Sequence, residues 1–196
     1  LIFIFFFGLS LGSFLNCVIY RLRQNKSPLY GRSFCPNCRH QLSWFDLIPV
    51  FSFIFLKQKC RYCRQKISWQ YPLVELSTAV LVIIIYLKLN WQLPSANFQH
   101  LISFLILTVF TCFLIVIFIY DFKYYLIPDK ISLPGFIIVF ILQIINFLFS
   151  NQNKNIYQFL LYLLLAGLLG GLFFLIQFII SRGRWIGGGD IRLGLL

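Results

Sequence analysis

Two aspartates and two cysteine pairs are the residues of this chain whose types and spacing could do chemistry. Asp121 directly ends the apolar run Leu101–Tyr120, and Asp190 follows Gly187-Gly188-Gly189 just before another apolar stretch. An acid at the edge of a hydrocarbon layer is costly, so its first reading is functional. Two carboxylates held close in a poorly solvated site cannot both ionise easily, and they share one proton. The ionised member can take a proton from water. The protonated member can donate to a carbonyl oxygen or a leaving nitrogen, the acid–base work that paired aspartates perform on a peptide bond. The three glycines permit backbone geometries closed to other residues and let an extended strand approach closely. A second reading stays open here: both acids are helix-terminal residues. Asp190, at a helix start, would offset the macrodipole, but Asp121, at a helix end, would not. Asp129 follows Pro128 in a turn and reads as the N-cap of the next helix.

The cysteine pairs are Cys35-Pro-Asn-Cys38 and Cys60-Arg-Tyr-Cys63, with 21 residues between them. Four thiolates on two tight turns make a tetrahedral Zn²⁺ site, closed and therefore structural. Basic neighbours favour the thiolate form. A pair of disulfides is the other reading, and a cytoplasmic loop disfavours it. His40 could replace one cysteine but reads more simply as a loop residue. Cys17 and Cys112 lie inside apolar runs, as packing residues do.

The elements that must position these groups are helices in a bilayer. The chain has 196 residues, of which 60% are hydrophobic and 11% charged, with 24 Phe. A soluble domain of this size carries far more charge. The apolar residues fall in the blocks Leu1–Tyr20, Leu73–Leu89, Leu101–Tyr120, Ile131–Phe149 and Tyr157–Ile180, and a sixth begins at Ile191. Each complete block can cross a hydrocarbon core of ~30 Å as a helix. The expected fold is an all-α polytopic membrane protein of about six transmembrane helices, the last truncated, with a cytoplasmic four-Cys zinc-binding loop. Residues 1–20 form the first helix, 21–71 the basic four-Cys loop, and 72–196 the transmembrane core with helices two to six. The chain lacks Met and starts within an apolar run, so it is expected to be a fragment cut at both ends. No basic segment precedes residues 1–20 and no small-residue cleavage site follows them, which argues against a signal peptide. Gly8 and Gly12 form a GxxxG pair that favours a close helix neighbour. Asn16 should face protein rather than lipid. Leu47–Leu56 is apolar but too short to span, and reads as a buried or interfacial piece.

The formal net charge is +12, from 17 basic and 5 acidic residues. The charges lie between apolar runs, which points to cytoplasmic loops rather than to nucleic acid. Placing 21–71, 121–130 and 181–192 on one side gathers 15 of the 17 basic residues, leaving Lys88 and Lys154 opposite. That side is the cytoplasmic one. Asp121, Asp129, Asp190 and the four paired cysteines all belong to it. The 21–71 loop holds ten basic residues against Asp46 alone, a balance suited to anionic lipid headgroups.

Four stretches together resemble the bacterial type IV prepilin peptidase family. They are Gly8-Leu-Ser-Leu-Gly-Ser-Phe-Leu-Asn-Cys-Val-Ile-Tyr-Arg21; the CxxC pairs with Asp46-Leu-Ile-Pro49 between them; Tyr71-Pro-Leu-Val-Glu75; and Asp121 through Ile127-Pro-Asp129 with Gly187-Gly-Gly-Asp190. The resemblance runs over nearly the whole chain in the right order. It implies an aspartic endopeptidase with Asp121 and Asp190 as the catalytic pair. Such enzymes cut the basic leader from prepilins or pseudopilins at the cytoplasmic face of the bacterial inner or plasma membrane. The products serve type IV pili, type II secretion or competence. Many members also N-methylate the new N-terminus with S-adenosylmethionine. Two positions depart from the pattern: Gln58 stands where methylating members commonly carry Gly, and Arg192 where Lys is usual. The first puts methyl transfer in question. The second keeps the charge but not the geometry.

A basic leader is repelled by the basic loop, so Asp46, Glu75 and Asp129 are the acids that could greet it. Glu75 opens the second helix, where helix-start electrostatics and leader binding are both open readings. Other functional classes remain: a different GxGD-type intramembrane protease, a non-catalytic membrane-anchored zinc module, and a transporter. The first lacks such a cysteine loop. The second predicts that both aspartates tolerate Asn. The third needs polar residues along several helices, and helices three to five carry few. Nothing in the sequence sets an oligomeric state.

Overall fold

The structure is a computed structural model, and it describes residues 1–27, 30–89, 98–126, 129–149, 155–181 and 194. The chain is all-helical: α1 (Ile2–Arg23), α2 (Phe51–Phe55), α3 (Gln70–Lys88), α4 (Phe98–Tyr124), α5 (Asp129–Phe149) and α6 (Ile156–Ser181). Among the described residues there is no strand, only two isolated antiparallel bridges, Phe34 with Gln41 and Lys59 with Lys66. Among the described residues five helices, all but α2, are long and apolar enough to cross a membrane. This is a multi-pass membrane protein, as the apolar blocks require. The expected sixth helix, from Ile191, lies outside the described residues except for Gly194. Its carbonyl sits close enough to Gly170 of α6 that neither position has room for a Cβ.

The chain divides into two compact units, Leu1–Ile119 and Tyr120–Leu196. In the first, α1 and α3 pack antiparallel along the small-residue stripe seen in the sequence. A Cβ on Gly8 would lie 2.5 Å from Ala79 Cα, and one on Gly12 would lie 2.6 Å from Glu75 Cα. The two backbones therefore meet at a distance that only glycine allows. Asn16, one turn further along, is 2% exposed and donates from Nδ2 to Tyr71 O at 3.1 Å. Its amide is satisfied by the start of α3, so the polar residue faces protein as expected. Leu9, Ile19, Val74, Ala79 and Val82 are buried and form the centre of this pair.

The helices overrun the apolar blocks at the charged side. α1 continues through Arg21 to Arg23, and Arg21 is 6% exposed because its guanidinium donates to Gly31 O at 2.6 Å. That bond ties the start of the cysteine loop to the helix. α4 continues past Asp121 to Tyr124, with Tyr125 N–H donating to Asp121 O at 2.7 Å. Within the second unit, Tyr120 packs at a tilt against Tyr124 with ring centres 4.7 Å apart, and Phe147 of α5 stacks on Phe159 of α6 at 4.4 Å.

Candidate metal centre and catalytic aspartate

The four expected cysteine ligands come together. The Sγ atoms of Cys35, Cys38, Cys60 and Cys63 all lie within 4.8 Å of one another, and Cys35 Sγ is 3.9 Å from Cys63 Sγ. A tetrahedron with Zn–S bonds of ~2.3 Å has sulfurs about 3.8 Å apart, so the spacing fits a metal ion. All six cysteines are free thiols, with no disulfide.

Each pair sits on the same tight turn, built twice. In the first, Cys35 N–H donates to His40 O at 2.9 Å and Arg39 N–H to Cys35 O at 2.9 Å. In the second, Cys60 N–H donates to Gln65 O at 2.8 Å and Arg64 N–H to Cys60 O at 3.0 Å. Arg39 and Arg64 both have φ +59, the left-handed turn that folds the chain back under the cysteines. Leu42 N–H to Ser33 O and Ile67 N–H to Gln58 O close the two turns alike. The sequence carries this as an internal repeat that motif reading alone passed over: Cys-Pro-Asn-Cys-Arg-His-Gln-Leu-Ser-Trp44 against Cys-Arg-Tyr-Cys-Arg-Gln-Lys-Ile-Ser-Trp69. Aligning the two pairs would have revealed it.

The two knuckles also grip each other. His40 stacks on Tyr62 with ring centres 3.6 Å apart, and Asn37 Nδ2 donates to Cys63 Sγ at 3.6 Å. The Gln65 N–H and then the Asn37 amide bring the Cys63 thiol down to about 6. For Cys38 the His40 N–H pulls downward, but desolvation and the neighbouring thiols of Cys35 and Cys63 outweigh it and push the group up to about 11. Crowded thiols resist ionising together. A divalent cation among them removes that conflict.

Asp46 belongs to this assembly. It lies in a 3₁₀ turn, Trp44–Leu47, whose Ser43 and Asp46 form a reciprocal capping box. Burial alone would raise its carboxyl. Hydrogen bonds from the Ser43 hydroxyl at 2.8 Å and N–H at 3.2 Å, with Arg61 Nε at 2.9 Å, outweigh burial and hold it below the usual range.

Glu75 is 6% exposed in the second turn of α3 and accepts from Val50 N–H at 2.7 Å. Burial and a backbone partner were not foreseen for it in either reading of the sequence. The signal was its place between Gly12 on α1 and the Pro49 turn. Gln58 has φ +62, next to Lys57 at φ +49. Its left-handed backbone lets Gln58 N–H reach Phe53 O at 2.9 Å and opens the second knuckle. That is why a glycine suits this position.

Asp121 is exposed in the last turn of α4. Asp129 is the first residue of α5, and only its backbone is described. Asp190, Gly187, Gly188, Gly189 and Arg192 lie outside the described residues.

Two family models match in succession: the bacterial peptidase A24 N-terminal domain over residues 6–89, and the type IV leader peptidase family over 108–196. The first covers most of α1, both knuckles and α3, and the second most of α4 onward. Among curated proteins, a Vibrio cholerae protein named prepilin leader peptidase/N-methyltransferase is 33% identical over 95% of this chain and 71% of its own length. A Bacillus subtilis protein of the same name is 33% identical over 97% of this chain and 69% of its own. One from Myxococcus xanthus is 35% identical over 68% of this chain, a match that spans 37% of that protein's length. No solved structure matches significantly.

Proposed function

This chain belongs to the type IV leader peptidase family, and from that premise we propose that it is an intramembrane aspartyl endopeptidase that removes the basic leader of type IV prepilins or pseudopilins at the cytoplasmic membrane face. The observation that carries the reading is Asp121, exposed in the last turn of a membrane-spanning helix, two residues before Lys123. An unneeded acid is not kept there. Asp190, after three glycines, is its partner in the reaction. One carboxylate, ionised, takes a proton from water. The water oxygen attacks the peptide carbonyl carbon. The other carboxyl hydrogen-bonds the carbonyl oxygen and delivers its proton to the leaving nitrogen as the C–N bond breaks. Gly187, Gly188 and Gly189 leave room for the extended substrate.

The basic side of the protein faces the cytoplasm of a bacterial inner or plasma membrane. There the substrate's own apolar helix lies in the bilayer and its leader emerges beside Asp121. Asp129 is the acid we assign to the leader, and Glu75, whose carboxyl accepts from Val50 N–H, is assigned a supporting role within its own unit. The four cysteines hold a structural Zn²⁺, which supplies cross-linking of the two knuckles and no step of hydrolysis. Methylation of the new N-terminus would take S-adenosylmethionine as donor. Gln58 keeps the left-handed backbone that a glycine would give.

The test is cleavage of a co-expressed model prepilin by a full-length version of the protein, read by gel shift and N-terminal mass. Wild type removes the leader. Asp121→Asn and Asp190→Asn each insert normally and lose cleavage by at least ~10², the scale of a lost acid–base group. The same masses report methylation. Normal cleavage by both variants would remove the dyad and leave a membrane-anchored zinc module. Cleavage of signal peptides instead of prepilins would favour another GxGD-type protease.

A further inference from the structure

We propose that the segment Leu47–Phe55 is a re-entrant element that dips into the cytoplasmic leaflet beside α1, with the acyl chains of that leaflet as its outer neighbour. The α1–α3 register supplies the depth. Gly8 faces Ala79, Gly12 faces Glu75, and Asn16 bonds Tyr71, so α3 begins level with Asn16. The loop meets this helix pair well inside that level. Val50 N–H bonds Glu75, level with Gly12, four residues or about 6 Å inward at 1.5 Å per residue. The Phe51 ring stacks on Phe6 with centres 6.4 Å apart. Phe6 is ten residues from Asn16, about 15 Å, which is half of a ~30 Å hydrocarbon core.

Backbone that is not a spanning helix survives at such depth only if its polar groups are satisfied or line a polar cavity. Val50, Phe51, Ser52 and Ile54 meet the first condition, and Leu47 and Pro49 line a cavity. Phe51 N–H donates to Pro49 O, Ser52 N–H to Ile48 O, Ile54 N–H to Val50 O and Leu56 N–H to Ser52 O. Pro49 has no N–H to satisfy. The Val50 donor, held at φ +62, has its partner in the buried carboxylate of Glu75. Between the segment and α1 lies a cavity of about 350 Å³, lined on its polar side by Ser10, Ser13 and Arg21.

The outer surface is apolar and open. Only Phe53 of α2 is buried, while Phe51 is 41%, Ile54 63% and Phe55 80% exposed. Such a face is expensive in water and ordinary against acyl chains. Phe14 of α1 and Leu73 of α3, in the same unit, are exposed apolar residues as well. Trp44 and Trp69, both exposed, flank it as interfacial aromatics do, and Lys57 and Lys59 follow it where anionic headgroups would lie.

The experiment is photolabelling of the full-length protein in phosphatidylethanolamine/phosphatidylglycerol vesicles, mapped by mass spectrometry. One reagent carries its carbene precursor on an acyl chain, and the other is water-soluble. Ile54 and Phe55 are expected to label from the acyl chain to the same extent as Phe3 and Leu73, and not from water. Arg39 and Arg64 label from water alone. In Phe55→Lys, whose charge opposes immersion, the Ile54 label moves from the lipid reagent to the aqueous one. Aqueous labelling of Ile54 and Phe55 in wild type overturns the proposal. Labelling from neither phase also overturns it, since another part of a protein then covers the face. No outcome depends on leader cleavage, so the proposal can fail without the enzymatic reading failing.

Discussion

Arg61, in the second knuckle, holds Asp46 of the intervening 3₁₀ turn, with Nε 2.9 Å from Oδ1. Arg61 is 51% exposed along its side chain, whereas Asp46 is 2% exposed. The pair is therefore asymmetric. Removing Asp46 leaves a guanidinium that water can solvate. Removing Arg61 leaves a buried carboxylate short of a partner, which is the costlier loss. Arg61→Ala is expected to raise the Asp46 pKa, and carboxyl-carbon NMR would read it. A titration unchanged by that substitution would deny the pairing.

The same carboxyl sets an acid limit. Its folded pKa lies below the ordinary Asp value near ~3.9. A depressed acid contributes its stability above the unfolded value and loses it as pH falls through the folded one. Asp46→Asn is thus expected to speed amide exchange in Trp44–Leu47 at pH 7. The gap to wild type should close as the pH approaches ~4 and goes lower. A gap constant over that range would mean that Asp46 acts through shape alone.

At Gln58 the backbone, not the side chain, is the constraint. A left-handed φ costs an L-residue on the order of 1–2 kcal/mol, and glycine returns part of that gain to the flexibility of the unfolded chain. Gln58→Gly is expected to tighten the metal site by roughly threefold to tenfold, about 1 kcal/mol. Gln58→Val should loosen it, because a β-branched residue tolerates this conformation least. Competition with a chromophoric zinc chelator gives both numbers, and equal affinity in all three proteins would show that the strain is relieved elsewhere.

Much of this was legible in the sequence because hydrocarbon imposes so few solutions. The blocks of α1, α3, α4, α5 and α6 follow from apolar length alone, and Gly8, Gly12 and Asn16 announced the face that α3 covers. The thiol cluster followed from two CxxC spacings. Contacts that sequence distance hides were not legible. Glu75 and Val50 are 25 residues apart and meet only because the chain between them folds back through α2 and the second knuckle. Nor does an apolar stretch of ten residues declare whether it is core or lipid contact, since both reward the same side chains. The ends of α1 and α4 ran past their apolar blocks because Arg and Lys propagate a helix readily once it has begun, and one Asp of low propensity costs too little to stop it.

The α1–α3 contact gives a test that spares the aspartates. Real Cβ atoms do not approach backbone as closely as the 2.5 Å and 2.6 Å that Gly8→Ala and Gly12→Ala would require, so the helices must part. Overpacking of this kind costs about 1–3 kcal/mol. Both variants should melt earlier in detergent, and Gly12→Ala should also weaken the adjacent Glu75–Val50 bond. Ser10→Ala lies on the same helix, is exposed, and loses only a bond to Phe6 O in its own helix. It should melt like wild type. If Ser10→Ala and Gly12→Ala fall together, the stripe is not the contact that matters.

Removing the metal separates its role from that of the aspartates. One Zn²⁺ per chain is expected by elemental mass spectrometry, and none in Cys35→Ser or Cys60→Ser, whose thiols are the buried members of the set. Without the ion the four sulfurs regain their conflict, so the knuckles should open and exchange amide protons freely. Hydrolysis itself needs only water, two carboxyls and a held substrate. Stripped enzyme that stays inserted should therefore cleave within about tenfold of wild type, while Asp121→Asn falls by at least ~10². A metal-free protein as dead as Asp121→Asn, yet still folded in the membrane, would move the ion from a structural role into the reaction.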